Sequence, residues 1–127
     1  MIKKTFIYLV ITNLLLLAGC AGASDYDIDL PGSMSVVRTS AYNITIAPKF
    51  EEGHWGANIV PSEVVEVGWN EEYIVAKQID NGKNYFWIIQ VDNWEVTGPL
   101  NQSDFNKQKY DFIKDIKLIE VDGLDKN

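Results

Sequence analysis

The segment Tyr85-Phe86-Trp87-Ile88-Ile89 constrains the fold of this chain more than any other, because it is apolar at every position. A strand without a polar face is buried on both sides, so we expect it to be a central strand. Just before it lies Asn81-Gly82, a pair that supplies the positive φ angles of a type I′ hairpin turn. The sequence therefore predicts a β-hairpin that joins segments 73–79 and 85–91.

Short segments rich in β-branched residues flank this hairpin and predict further strands. They are 34–39, 42–47, 58–60, 63–69, 94–97 and 116–121. We expect a mainly β (α+β) fold, an antiparallel sheet or small open barrel of about seven strands with one C-terminal helix packed on it.

The C-terminal helix is predicted after Gly98-Pro99, which should end the run of strands. Asn101 or Ser103 is a suitable N-cap. Phe105 and Phe112 would then share one helical face with the aliphatic stem of Lys109.

The N-terminus has the three parts of a secretory signal. Lys3 and Lys4 precede an almost wholly apolar run over residues 6–17, and small residues follow. This run is shorter than the roughly 20 residues of a membrane-spanning helix, which favours a signal peptide. The segment Leu17-Ala18-Gly19-Cys20 resembles the lipobox of bacterial lipoproteins. That resemblance implies cleavage before Cys20 and attachment of a diacylglycerol to its thiol.

The lipobox resemblance sets the expected domain organisation and localisation. We expect residues 1–19 to be the signal peptide, 20–33 a lipidated tether and 34–127 a single globular domain. Segment 25–30 alternates acidic with apolar residues, so it is either the first strand of the domain or an ordered end of the tether. The protein should lie outside the cytoplasm on a lipid anchor, at the outer membrane of a Gram-negative source or on the plasma membrane of a Gram-positive one.

Cysteine count and charge exclude several classes of interaction. Cys20 is the only cysteine, so no intramolecular disulfide can form. After removal of the signal, 108 residues carry nine Lys or Arg and eighteen Asp or Glu, a net charge of −9. Such an acidic domain lacks the basic footprint of a nucleic-acid-binding protein. Anionic lipid should repel it, so we expect membrane contact only through the anchor.

The sequence predicts no catalytic residue, metal site or cofactor. His54 is the only histidine, and it has neither a second histidine nor a nearby thiol as a partner. Asp25, Asp27 and Asp29 alternate as in a calcium loop, but Leu30 stands where the EF-hand needs glycine. No Gly-x-Ser-x-Gly elbow is present. Paired carboxylates for glycoside hydrolysis stay open, because their spacing is spatial.

Four tryptophans are many for so small a domain. Trp87 is predicted to lie in the core, and alternation within 63–69 predicts the same for Trp69. Trp55 lies in a glycine-flanked loop and Trp94 just after a predicted turn, so both are candidate binding anchors. The alternative is that both fold over the edge of the core. The predicted binding residues are Trp55, Trp94, His54 and Arg38.

Several short motifs resemble those of a group of small uncharacterised bacterial lipoproteins. They are Asp25-Tyr26, Leu30-Pro31-Gly32, Val37-Arg38-Thr39-Ser40-Ala41, Tyr73-Ile74-Val75-Ala76-Lys77-Gln78, and Gly98-Pro99-Leu100 before Phe105. The group has no established activity, so the resemblance implies a fold and a location but no site residues.

The sequence is compatible with three functions. The first is a lipid-anchored binding module of the cell envelope that contacts a protein, a peptide or a cell-wall glycan. The second is an inhibitor or immunity-type lipoprotein that blocks a basic toxin or hydrolase. The third, a small envelope hydrolase, has no motif in its favour, so we expect the protein not to be an enzyme.

Overall fold

A computed structural model describes residues 25–125 of the chain, and within them it has nine strands in two antiparallel sheets that do not close into a barrel. The strands are β1 (Tyr26–Leu30), β2 (Met34–Arg38), β3 (Ile44–Glu51), β4 (His54–Trp55), β5 (Val64–Trp69), β6 (Tyr73–Asp80), β7 (Lys83–Gln90), β8 (Val96–Leu100) and β9 (Ile119–Glu120). The predicted mainly β fold with an antiparallel sheet is confirmed. Cys20 and the signal segment lie outside the described residues.

The first sheet has four strands in the order β1-β2-β3-β4. A turn over Pro31–Ser33 joins β1 to β2, and Leu30 pairs with Met34 beside it. Segment 25–30 is therefore a strand of the sheet rather than an end of the tether. Strand β1 pairs with β2 along its whole length, so a strand of the sheet lies within residues 20–33, which the sequence assigned to the tether.

The second sheet has five strands in the order β8-β7-β6-β5-β9. The predicted hairpin joins β6 to β7, with Asp80 paired to Lys83 and positive φ angles at Asn81 and Gly82. The predicted central position of the all-apolar strand is wrong by one place, because β6 occupies the centre. Burial of both faces does not fix the place of a strand in the sheet order. Strand β7 pairs with β6 on one side and with β8 on the other.

The main core lies between the two sheets and takes buried residues from both. These are Leu30, Met34, Val36, Ile44 and Ile46 from the first sheet, Val64, Val67, Ile74, Ala76 and Ile89 from the second, and Val60 and Val121 from connecting segments. Apolar side chains in alternate positions of both sheets thus bury one face of each against the other. Trp87 packs against this core as predicted. Trp69 does not, since it stands at the end of β5 and is 39% exposed.

Segment 102–118 forms a third layer on the outer face of the five-stranded sheet. It contains helix α1 (Gln102–Phe105) and a 3₁₀ segment (Gln108–Ile113), and a last helix α2 (Val121–Asp125) follows β9. Val75 and Ile88 are buried against Ile113 in this layer. The all-apolar strand β7 is therefore covered on both faces.

The expected single C-terminal helix is wrong, although its predicted cap is right. The side chain of Asn101 accepts a hydrogen bond from the backbone N–H of Asp104. The chain leaves the helix at Lys107, whose ψ is 149°. Two ring contacts explain the break: Phe105 stacks on Phe86 at 4.3 Å, and Phe112 meets Tyr73 at 4.8 Å.

Tyr73 pairs with Gln90, four residues along β7 from Phe86. That separation is about 13 Å in a strand, whereas seven helical residues span about 10 Å. A more extended path lets both phenylalanine rings reach the sheet.

Candidate functional site

The turn between β3 and β4 carries the densest group of charged and aromatic side chains that the structure describes. We call it the hairpin surface, and its members are Asp27, Asp29, Lys49, Phe50, Glu51, Glu52, His54 and Trp55. The sequence predicted a glycine-flanked loop at Trp55, yet residues 48–56 hold the end of β3, a turn at Gly53 with a φ of 79°, and β4. The turn brings His54 back beside Glu51.

Lys49 is the centre of this surface. Its ammonium lies 3.0 Å from a carboxylate oxygen of Asp27, 3.2 Å from one of Asp29 and 2.9 Å from one of Glu52. The side chain is only 13% exposed. These contacts, that with Glu52 foremost, raise the pKa of the Lys49 ammonium above its ordinary value. The ammonium is therefore a permanent cation that holds three acidic side chains together.

Trp55 lies opposite Lys49 in the register of β3 and β4. The Lys49 ammonium is 5.9 Å from the centre of its ring, within the range of a cation–π contact. The indole N–H is buried and has no hydrogen-bond partner among the described residues. Trp55 is thus half-buried at the side of the ion cluster, and it belongs to strand β4 rather than to a loop.

Phe50 is the exposed apolar member of the hairpin surface. The register between β3 and β4 shifts from Lys49 to Glu51, which makes Phe50 the extra residue of a β-bulge. A bulge re-aims a side chain, and Phe50 is 69% exposed. Its position is still defined, because a Cβ at Gly56 would lie 2.9 Å from the Phe50 ring. The ring rests on a glycine and points a large apolar face outward.

His54 lies beside acidic groups and faces solvent. Its Nδ1 is 3.2 Å from the backbone oxygen of Glu52 and 3.5 Å from a carboxylate oxygen of Glu51. The side chain is 71% exposed. No serine takes part in these contacts, so His54 has the neighbours of a surface polar group rather than those of a hydrolase base.

Trp94 lies at the turn between β7 and β8. Its indole N–H donates a 2.8 Å hydrogen bond to the backbone oxygen of Gly32 in the β1–β2 turn. The bond ties the five-stranded sheet to the four-stranded one. Trp94 is 39% exposed, so it can bridge the sheets and present part of its ring to solvent.

Arg38 lies at the opposite end of β2 from the Pro31–Ser33 turn. Its guanidinium carbon is 5.4 Å from the centre of the Tyr26 ring, and its Nε donates to the backbone oxygen of Ser40 at 3.3 Å. It borders a cleft of about 380 Å³ that we call the Arg38 cleft. The structure therefore separates the four predicted binding residues into three places: His54 and Trp55, Trp94, and Arg38.

Sequence reasoning missed Lys49 and Phe50, which dominate the hairpin surface. Only Glu52 is close to Lys49 in sequence; the other two partners, Asp27 and Asp29, come from another strand. Phe50 continues the alternation of Ile44 and Ile46 and so reads as a core residue. Only the bulge turns it outward, and no residue pattern marked that bulge.

No group of three or more His, Cys, Asp or Glu within residues 25–125 has the arrangement of a metal site. Across the same range, none of the helices has the length and apolar character needed to cross a membrane. What the described residues define is a two-sheet β protein with a charged, aromatic surface at one hairpin.

The chain belongs to a family described as a protein of unknown function (DUF3997), whose model matches residues 31–122. Membership agrees with the expected resemblance to uncharacterised proteins and brings no activity with it. Neither a curated protein nor a solved structure matches the chain.

Proposed function

We propose that this protein is a lipid-anchored, extracytoplasmic binding module of a bacterial cell envelope, and that its hairpin surface holds a cationic protein or peptide. The observation that carries the proposal is the exposed Phe50 within an acidic rim. Large exposed aromatic side chains are common interface anchors. Here the anchor is fixed by a bulge and by Gly56.

The charge of the rim supports a cationic partner. Asp27, Asp29, Glu51 and Glu52 contribute four carboxylates, and Lys49 is the one lysine among them. The net charge of this group is therefore negative. The Glu51 and Glu52 side chains are 74% and 91% exposed. Such a field favours encounter with a basic partner and weakens as salt rises. Trp55 in the hairpin surface and Trp94 at the β7–β8 turn are proposed as secondary anchors.

The location is proposed from the N-terminal sequence. Cys20 would carry the lipid and keep the domain at the membrane surface, with the acidic domain facing away from anionic headgroups. Cys20→Ser should leave an uncleaved or unanchored precursor, read by membrane fractionation and intact mass. A variant with the wild-type mass and membrane association would refute lipidation at Cys20.

The binding proposal is tested by crosslinking the native lipidated protein in living cells, followed by mass spectrometry of the captured partners. Phe50→Ser and the pair Glu51→Gln/Glu52→Gln should each lower recovery of one basic partner. Added salt should lower it further in the wild type. Matched controls are Tyr42→Ser, at a residue that is 77% exposed elsewhere, and Glu71→Gln/Glu72→Gln at the exposed β5–β6 turn.

Equal recovery from the hairpin variants and their controls would refute the hairpin surface as the contact. Capture of an acidic or uncharged partner, or of a glycan, would refute the cationic class. A second candidate, an inhibitor or immunity-type protein, is favoured by the same acidic rim. It predicts that the captured partner is a basic toxin or hydrolase whose activity falls on binding.

A further inference from the structure

The Arg38 cleft lies where the end of β2 and the start of β3 meet β5, β9 and α2. Its volume of about 380 Å³ falls within the range of roughly 300–1,000 Å³ that is typical of small-molecule sites. Its apolar lining residues with exposed surface are Ala41, Val65 and Ile79. The cleft shares no lining residue with the hairpin surface, so the inference below does not depend on the proposed function.

One side of the cleft offers an unpaired cation. Arg38 is held by the Tyr26 ring and by the backbone oxygen of Ser40, and it forms no ion pair within residues 25–125. These two contacts leave its terminal nitrogens without a described partner. A guanidinium held flat in this way presents the two parallel donors that a carboxylate accepts.

The other side of the cleft has more carboxylates than cations. Lys77, Glu66 and Glu120 are neighbours across β6, β5 and β9, and the two glutamates pair directly in register. The Lys77 ammonium forms an ion pair with a Glu66 carboxylate oxygen at 3.1 Å. Like charges directly opposite in a sheet are unfavourable, and Glu120 has no ion pair among the residues described. Glu63 and Asp122 are two further lining carboxylates without such a pair, although Asp122 accepts a 3.5 Å hydrogen bond from the Tyr26 hydroxyl.

The cleft therefore holds a free guanidinium and free carboxylates that do not pair with each other. We propose that it binds a small zwitterion, an α-amino acid or a dipeptide with both ends free. The ligand carboxylate would lie on Arg38 and the ligand ammonium on Glu120 and Glu63. Val65 and Ile79, which line the cleft and keep exposed apolar surface, would receive an apolar side chain, so leucine and leucine-containing dipeptides are suitable probes.

The test is titration of the full lipidated protein in detergent with L-leucine and with L-leucyl-L-alanine, followed by calorimetry. The N-acetylated and C-amidated forms of each probe serve as comparisons. Removing either ligand charge should weaken binding about tenfold, as expected for one hydrogen-bonded charge contact. Arg38→Gln should erase the preference for a free carboxylate only, and Glu120→Gln the preference for a free amine only.

Arg38→Lys should recover part of the carboxylate preference, which a purely structural role for Arg38 would not produce. Lys83→Gln and Glu95→Gln, exposed residues outside the cleft, are the charge-matched controls and should bind like the wild type. Absence of heat with both probes, or equal affinity for capped and free forms, would overturn the proposal. So would wild-type selectivity in both Arg38→Gln and Glu120→Gln.

Discussion

The two sheets of this protein differ in what covers the face that points away from the main core. The five-stranded sheet has the first sheet on one face and segment 102–118 on the other, so strand β7 can be apolar at successive positions. The outer face of the four-stranded sheet is mainly small and polar: Asp27, Asp29 and Lys49 lie beside buried Ser35, Thr45 and Ala47. The charged cluster therefore lies on the face that does not contribute to the main core.

The two regions should also contribute differently to stability and to binding. Residues of the five-stranded sheet are packed on two sides, and in such close packing a change of one methylene alters the stability of the fold. Residues of the hairpin surface are constrained by charge, which is screened by water and salt. We therefore expect large effects on the free energy of unfolding from the first region and salt- or pH-dependent effects from the second.

Gly68→Ala should lower the free energy of unfolding strongly, because it forces β5 and the third layer apart. A Cβ at Gly68 would lie 2.3 Å from the backbone oxygen of Lys117 and 2.8 Å from Cγ2 of Ile116. The chain would have to move, at a cost of about 3 kcal/mol in the free energy of unfolding. Urea denaturation measures this loss.

The matched control is Gly123→Ala in helix α2, where nothing lies within 4 Å of the added Cβ. It should gain up to about 1 kcal/mol from helix propensity. Equal stability of Gly68→Ala and the wild type would contradict the close crossing of residues 116–117 over β5.

Ile89→Ala and Ile113→Ala compare the two covered faces of the five-stranded sheet. Ile89 is fully buried between the sheets, whereas Ile113 lies in a smaller cluster with Val75 and Ile88. Truncation of a buried isoleucine costs about 2–5 kcal/mol, and we expect Ile89→Ala near the upper limit and Ile113→Ala near the lower one.

Amide hydrogen exchange should resolve the two variants by region. Ile113→Ala should speed exchange mainly within 102–118, which can open without separating the sheets. Ile89→Ala should speed it throughout both sheets. Uniform loss of protection in both variants would show that the third layer and the core unfold as one unit.

Lys49→Met tests the charged region and should have the smallest effect, confined to a defined pH range. The Glu52 carboxylate above all, then Asp27 and Asp29, raise the pKa of Lys49 in the folded state. The folded protein therefore holds this proton more tightly than the unfolded chain. The resulting stabilisation is complete below the ordinary lysine pKa of about 10.4 and is lost as pH rises through the higher folded value.

The Tm difference between wild type and Lys49→Met should be constant from pH 7 to 9 and should shrink above about pH 10.4. Lys83→Met, at the exposed β6–β7 turn, is the control for tyrosine ionisation and for loss of one charge. A difference that stays constant to high pH would mean that the ion cluster does not stabilise the fold.

Local patterns predicted those parts of the fold whose causes are local. Asn81-Gly82 is a turn because these residues tolerate positive φ, and Asn101 caps α1 through a bond three residues away. The cover on both faces of β7 followed from its uniform apolarity. Predictions failed where distant residues decide, as for the helix that Phe105 and Phe112 interrupt to reach the sheet.

The candidate site was predicted only in part, for the same reason. His54 and Trp55 were identified from their glycine-flanked segment, yet Lys49 was missed because two of its three carboxylate partners, Asp27 and Asp29, are about twenty residues away in sequence. The Arg38 cleft depends on Glu63 and Glu120, which come from different parts of the chain. A single sequence does not indicate which distant residues will line the same cleft.

The sequence by itself determined that this chain is mainly β, where its hairpin turns, and which strand needs cover on both faces. Those properties depend on residue conformation and on alternation within a few positions. Tertiary structure alone decided that Phe50 faces outward, that Lys49 gathers three carboxylates, and that Arg38 faces a cleft without an ion pair. Each of these depends on register, bulges and sheet packing, which are set by the free energy of the whole fold rather than by neighbouring residues.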